Sequence, residues 1–591
     1  MAKLRPTVDS RGVELTLNQA LATLRPRGGE VSRCEIFLVC GFQPLHLATF
    51  LKAHFAVRFP DRAADILEGL YGDLDGTLAS AAKSNATAAA VVIEWGDLDS
   101  RLSLRSAGGW SLSAERDILA NCGDRWAKNF GRLKDLASRM PVALVPPTLP
   151  IPLFGHTAGW QMGATEAELR KQAGTFLADA ARLGNVRILH PSRLSRLSPE
   201  ASRGDPNMEL AAGFPYSVGH ASILARQLVQ LLYPQSPMKG LITDLDDTLW
   251  SGIVGEVGVR AVSWSLSEHS QIHGLYQQEL RHLSEIVVLL AVASKNEMTV
   301  VEEALRREDL YVPGTAFFPV MASWGPKSQA VAGILRTWNI GPESVVFVDD
   351  SPMEIEEVRT AFPSMTCLLF SQRSPAKSLE LCEQLRDLFG KPAVHLEDTL
   401  RQSSIHANAR LQEAAEQSTN GDFIRDLQGK LTFDARKDST NKRLLELINK
   451  TNQFNLNGVR ISEGEWLRHL EDDSGFAVGV SYEDRFGPLG VIAVMAGRQK
   501  AGLVEVTSWV LSCRAFSRKI EHQMLDYLFR RRGAKTIRLS FQPTERNRPL
   551  QEFLRSMGLG CGQPAVMDLL EEQFFGLQDG LPHEVRTQEN D

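Results

Sequence analysis

Apolar residues in this chain gather in short unbroken runs that stop on acids or hydroxyls. Residues 240–243 lead into Asp244-Leu245-Asp246, residues 286–293 end at Ser294-Lys295-Asn296, and residues 344–348 lead into Asp349-Asp350. Runs without polar alternation predict central strands of a parallel sheet, covered on both faces. Such strands deliver the residues after them to the carboxyl edge, where open α/β folds hold ligands. Between the runs, Val331, Ile334, Leu335 and Trp338 recur at helical spacing after Gly325-Pro326-Lys327, which puts the Lys327 ammonium near a helix start. Ser351-Pro352-Met353-Glu354 has the form of a capping box with proline at the first helical position. Upstream, residues 34–41, 88–94 and 142–145 predict strands of a separate α/β unit. Downstream, Val504, Val506 and residues 509–511 predict a strand, after which Cys513 begins a helix carrying Ile520, Met524 and Leu528.

Asp73-Leu74-Asp75-Gly76-Thr77-Leu78 repeats the acidic pattern of residues 244–249. Its upstream apolar residues, Ala64, Ile66, Leu67, Leu70 and Tyr71, fall at roughly helical spacing among charges. Asp73 is therefore read as a polar helix-to-loop turn without catalytic companions.

Asp244, Asp246, Asp349 and Asp350 would place several negative charges in one crevice, and a pair at ~4 Å repels by about 4 kcal/mol at an effective dielectric near 20. A hard divalent ion relieves this, and oxygen-only ligands with a phosphate substrate favour Mg²⁺ held by these four aspartates. Asp244 is the expected nucleophile on phosphorus and Asp246 the acid and base, while Ser294, Lys295, Asn296 and Lys327 are the expected phosphate contacts.

Asp-Leu-Asp-Asp-Thr-Leu-Trp-Ser-Gly-Ile-Val-Gly-Glu from Asp244, Ala-Ser-Lys-Asn-Glu from Ala293, Trp-Gly-Pro-Lys-Ser from Trp324, Val-Phe-Val-Asp-Asp-Ser-Pro from Val346 and Asn-Lys-Thr-Asn-Gln-Phe-Asn-Leu from Asn449 resemble the FkbH-like family, subclass IIIC of the haloacid-dehalogenase (HAD) superfamily. The resemblance implies an α/β protein of three domains: an SGNH-hydrolase-like α/β sandwich over 1–235, a Rossmannoid HAD core with a parallel sheet over 236–392 and, after a helical linker at 393–429, a GNAT-like (acetyltransferase-like) α+β domain over 430–578, followed by a polar tail at 579–591. It implies phosphoryl chemistry in polyketide-type natural-product biosynthesis on a small or carrier-bound phosphorylated substrate, with an acyl carrier protein as partner. Well-known members load the glyceryl group of 1,3-bisphosphoglycerate on that carrier. Ala293 stands where such members have the acyl-accepting cysteine, and Cys367 and Cys382 read as buried small hydrophobes, so a phosphatase or phosphotransferase is the first reading. The alternatives are a glyceryl transferase acting directly on the carrier thiol and a non-catalytic carrier-binding scaffold.

The SGNH-like part has Cys40-Gly41-Phe42-Gln43 where an active hydrolase has Gly-Asp-Ser, and His46, His156, His190 and His220 form no Asp-x-x-His pair. In the GNAT-like part, Ser517 and Lys519 replace the small residues of the pyrophosphate loop, which hinders coenzyme A. Arg514, Arg518 and Lys519 read equally as a solvated helix start and as a contact for an acidic carrier or its phosphopantetheine. A net charge of −6 over 591 residues excludes a typical nucleic-acid binder. Seven scattered cysteines and the lack of a long apolar run fit a cytoplasmic protein that does not enter a membrane.

Overall fold

The computed structural model describes residues 14–25, 32–391 and 427–588, apart from 108–109, 153–155, 439–441, 486, 513–514, 517, 545, 561–562 and 578–579. The proposed linker at 393–429 therefore lies almost wholly outside the described residues. The chain divides into two compact units, Arg11–Gln235 with Ile461–Glu471, and Ser236–Arg460 with Asp472–Asp591. No helix among the described residues is long and apolar enough to cross a membrane.

The first unit is built on a parallel sheet of β1 (Ser32–Val39), β2 (Arg62–Glu68), β3 (Ala88–Val92), β4 (Val142–Val145) and β5 (Val186–Ile188), in the order β2-β1-β3-β4-β5. Its two faces are sealed by separate apolar clusters, one around Phe50, Leu51 and Leu224, the other around Trp95, Trp126 and Phe176. Residues 62–68 form a strand, against the helical reading of this stretch. They occupy the sheet edge, where the half-exposed Ile66 and Leu67 blur the apolar pattern. Asp73 is accordingly the N-cap of the helix Leu74–Lys83, accepting from the Gly76 amide at 2.8 Å. Asp75 is engaged by Lys128 (3.0 Å) and Arg132 (3.1 Å). The helix Glu463–Glu471, expected in the C-terminal domain, belongs to this unit, where Glu465 and Glu463 pair with Arg62 (3.0 Å) and Arg187 (2.6 Å).

The second unit holds two sheets. One is parallel and comprises β6 (Gly240–Thr243), β7 (Leu289–Ser294), β8 (Phe317–Ala322), β9 (Val345–Asp349) and β10 (Thr366–Leu369), in the order β10-β9-β6-β7-β8. The other is mixed: β11 (Lys430–Asp434), β12 (Phe454–Asn455), β13 (Gly475–Asp484), β14 (Gly487–Lys500), β15 (Leu503–Leu511), β16 (Thr536–Phe541), β17 (Ala565–Leu570) and β18 (Glu584–Gln588). β18 lies within the stretch 579–591 read as a polar tail: it pairs in parallel with β11, and Arg436 donates to Gln588 Oε1 at 3.0 Å, so backbone pairing and a side-chain bond both hold it.

β15 and β16 pair in parallel only over Leu503–Val506 and Thr536–Leu539. Beyond that point the Asn449–Leu456 motif enters: Leu456 donates to the Trp509 carbonyl (3.0 Å) and accepts from the Gln542 amide (3.1 Å), while Asn457 Nδ2 donates to the carbonyls of Thr507 (2.9 Å) and Ser540 (3.3 Å). The backbone edges left open by the separating strands are thus satisfied by the chain's own segment.

Candidate active site

Register brings the acids together. In the parallel sheet Thr243 lies opposite both Val348 and Val292, so the residues that follow, Asp244, Asp349 and Ser294, emerge at one edge. β6 and β9 are also where the strand order reverses, the position at which open α/β sheets form a crevice.

Oxygens of Asp244, Asp349 and Asp350 lie within 4.8 Å of one another. Asp244 and Asp349 are buried and Asp350 is half-buried. Lys327, buried at the first position of the helix Lys327–Trp338, donates to Asp244 Oδ1 at 2.8 Å and to Asp349 Oδ2 at 2.5 Å. Burial raises the carboxyl pKa values of Asp244 and Asp349 despite that ammonium. Burial, with repulsion from Asp244 and Asp247, lifts Asp350 to about 6. Burial lowers Lys327, but the two carboxylates more than offset it and the net shift is upward. Among the described residues, three carboxylates therefore face one cation, Lys327. This surplus of negative charge, with oxygen as the only donor type, fits a hard divalent cation.

Asp246 does not join this group, contrary to its expected place among the metal ligands. Its Oδ1 accepts from Trp250 Nε1 (2.9 Å) and the Val254 amide (3.0 Å), and its Oδ2 from Asn296 Nδ2 (2.8 Å). The turn that does this has Asp247 at φ 51° and Gly252 at φ 101°, with the Gly252 amide donating to Asp247 Oδ1 at 2.9 Å. The Asn296 amide also donates to Ser294 Oγ at 3.0 Å, so Asn296 links the two groups that flank the crevice. Lys295 is turned to Glu354 at 2.7 Å, an ion pair that removes it from the expected phosphate contacts. Sequence reasoning missed Trp250 as a partner of Asp246, although the spacing of four across a tight loop was available. The N-cap of the following helix is Ser351, and Pro352 occupies its first turn.

The basic segment of the C-terminal sheet behaves differently from its reading. The helix begins at Ile520, after Lys519 in the left-handed conformation, rather than at Cys513. Arg518 is buried against Asp484 (3.4 Å) and over the Tyr482 ring, which withdraws it from any carrier contact. Lys519 is exposed, and Arg514 lies outside the described residues.

The first sheet also carries acids at its carboxyl edge. Glu94 Oε1 accepts from Thr148 Oγ1 (2.7 Å) and Tyr216 Oη (2.7 Å), and Oε2 from the Leu149 amide (3.2 Å). His220 links Thr148 Oγ1 (3.1 Å) to Ser198 Oγ (2.9 Å). Since the Thr148 hydroxyl proton goes to Glu94, the chain of bonds assigns His220 Nε2 as donor and Nδ1 as acceptor. Burial lowers the His220 pKa to about 3 and raises that of Asp97 to about 7.

No protein-family model matches the chain, and no curated protein does. Among solved structures it is similar to the N-terminal part of protein BF1531 from Bacteroides fragilis, described as containing a phosphatase domain and complexed with Mg: identity is 18%, the TM-score is 0.49, and the match covers 64% of this chain and 100% of that one. It is also similar to a HAD family enzyme from Bacteroides thetaiotaomicron at 12% identity and a TM-score of 0.17, over 24% of this chain and 99% of that one. At these scores neither likeness assigns an activity.

Proposed function

We propose that this chain is a Mg²⁺-dependent phosphatase or phosphotransferase of the HAD superfamily and FkbH-like type. It would act in the cytoplasm on a small or carrier-bound phosphorylated substrate of natural-product biosynthesis. The observation that carries the reading is the set of buried Asp244 and Asp349 with half-buried Asp350 around Lys327 at the strand-order reversal.

Asp244, Asp349 and Asp350 would hold the metal, which when bound offsets their charge and that of the phosphate. Asp244 attacks phosphorus as the bond to the leaving oxygen breaks, and Asp246 supplies that oxygen's proton. Water then attacks the aspartyl-phosphate, returning a proton to Asp246 and releasing phosphate. Two donors fill Oδ1 of Asp246 and one occupies Oδ2, so the travelling proton is confined to the remaining lone pair of Oδ2. Lys327 stabilises the transferring oxygens and favours the ionised form of Asp244 against the upward pull of burial.

An open rim supports a bulky substrate. Ile253, Val257, Met298, Trp324 and Met353, all following strand ends of this sheet, are exposed. Among the described residues of this unit, no thiol stands at the strand end that would accept an acyl group: Ala293 is buried in the core, and Cys367 and Cys382, half-buried rather than buried, lie on β10 and on the helix Pro375–Phe389.

Phosphate release from a panel of phosphoesters and acyl phosphates with Mg²⁺ tests the proposal. Wild-type protein is expected to turn over at least one class, and Asp244→Asn to lose on the order of 10⁴-fold or more of that rate. No release with acyl carrier protein still bound would favour a scaffold, and a glyceryl adduct on the carrier after incubation with 1,3-bisphosphoglycerate would favour the glyceryl transferase.

A further inference from the structure

Asn296 stands between the two groups that flank the crevice. It follows β7 closely, and both it and Ser294, the last residue of that strand, are buried. Its chain neighbours are pinned on either side of it: Lys295 pairs with Glu354 at 2.7 Å, and Glu297 accepts from the Trp324 indole at 2.8 Å. The Asn296 side-chain oxygen faces the loop after β6, where a Cβ placed on Gly255 would lie 3.6 Å from Oδ1. The nitrogen faces Asp246 Oδ2 at 2.8 Å and Ser294 Oγ at 3.0 Å.

Chemistry fixes the direction of both bonds. A carboxamide nitrogen carries two protons and cannot accept, so Asn296 is the donor to Asp246 and to Ser294 alike. Turning the amide over would set its oxygen against the Asp246 carboxylate. Both amide protons are then used, and none is left for a phosphate. Ser294 Oγ accepts in its one side-chain bond among the described residues, so its own proton remains for the crevice, at the edge where Asp244 and Asp349 also emerge.

We propose that Asn296 is a positioning residue and not a phosphate contact: one amide proton aims the Ser294 hydroxyl at the transferring phosphoryl oxygens, and the other holds Asp246 toward the leaving oxygen. This assignment rests on the phosphoryl-transfer reading and replaces the direct contact that the place of Asn296 in the chain suggests. A hydroxyl that accepts from a fixed donor keeps its proton off that side, so less of its rotation has to be frozen when substrate arrives. Asp246 is likewise held from two elements, by Trp250 and Val254 of its own loop on Oδ1 and by Asn296 on Oδ2. Asn296 therefore couples the group that steadies the phosphoryl oxygens to the group that protonates the leaving one.

Calorimetry of inorganic phosphate with Mg²⁺ on the full-length chain tests the Ser294 half without turnover. Ser294→Ala and Asn296→Ala should each weaken binding about tenfold, as loss of one hydrogen bond does, and the double substitution no more than either alone. Additive losses of about a hundredfold would make Asn296 a phosphate contact in its own right and overturn the assignment. Asn296→Leu keeps much of the side-chain volume without the protons and should bind as weakly as Asn296→Ala; recovery by leucine at an unchanged melting temperature would reduce Asn296 to packing. Phosphate release tests the Asp246 half. Asn296→Ala should cost about tenfold more on an alkyl phosphate, whose leaving oxygen needs a proton, than on p-nitrophenyl phosphate, whereas Ser294→Ala should slow both alike. Equal losses from Asn296→Ala would remove that half. If wild-type protein shows the expected binding pattern but releases phosphate from no ester, the phosphoryl-transfer reading fails and the Ser294 half stands. If it turns over while Asn296→Ala binds and reacts as wild type does, the reading stands and the positioning fails, and absence of both binding and release overturns the two together.

Discussion

The two parallel sheets place acids at corresponding crevices and use them in opposite ways. In the first sheet the strand order reverses between β1 and β3, and there the gap is filled: a Cβ on Gly41 would lie 1.9 Å from Asp97 Oδ1, while the Glu94 carboxylate is saturated by Thr148, Leu149 and Tyr216. In the second sheet the reversal between β6 and β9 holds three carboxylates and one lysine. A buried acid whose oxygens are all occupied by neutral donors holds a structure together. A cluster with more charge than its partners can offset needs something from outside, so charge imbalance rather than acidity marks the functional crevice.

Removing the lone cation should give the largest effect. Lys327→Met leaves Asp244 and Asp349 buried against each other, and breaking such a pair typically costs about 3–5 kcal/mol. Denaturant unfolding without metal should show that loss, Mg²⁺ should restore part of it, and phosphate release should fall about 10²–10³-fold. Unchanged metal-free stability would mean that Lys327 does not hold the cluster together.

The corresponding change in the filled crevice should separate stability from activity. Glu94→Ala orphans the donors of Thr148, Leu149 and Tyr216 and should cost about 2–4 kcal/mol, with phosphate release unchanged below the melting temperature. A drop in turnover at constant fold would join the two crevices functionally. The same network predicts a pH effect. Its histidine, His220, titrates at about 3 when folded against an ordinary value of 6.5, so the unfolded chain binds the extra proton between these limits. Stability from this group is complete above pH 6.5 and declines as pH falls toward 3, by about 1.4 kcal/mol per unit at most. The difference between wild-type and His220→Asn unfolding free energies should show that slope. A flat difference would place His220 in solvent.

The unbroken apolar strands and the acids that end them were legible because a buried parallel strand leaves no other pattern. The direction in which a side chain turns was not legible. Asp246 sits two residues from Asp244 and Lys295 directly after Ser294 in the sequence, yet Glu354 draws Lys295 away and Trp250, Val254 and Asn296 hold Asp246. Those partners are remote in sequence or meet only through the loop's left-handed turn. Edge strands were lost for a related reason: β2 and β18 are specified by backbone pairing with a neighbour, which composition does not record.

Asp73 supplies the smallest test and the sharpest one for the sequence pattern itself, because residues 73–78 carry the same acidic motif as residues 244–249. β2 does feed it, yet β2 is the edge strand of the first sheet and not the strand at the reversal, and the Asp73 carboxylate is engaged by the Gly76 amide as a helix cap. Asp73→Ala should therefore cost about 1 kcal/mol of stability, as loss of an N-cap does, and leave phosphate release at the wild-type rate. If turnover collapsed instead, the location of the strand would not be what selects between two copies of one motif, and the assignment of chemistry to Asp244 would have to be abandoned.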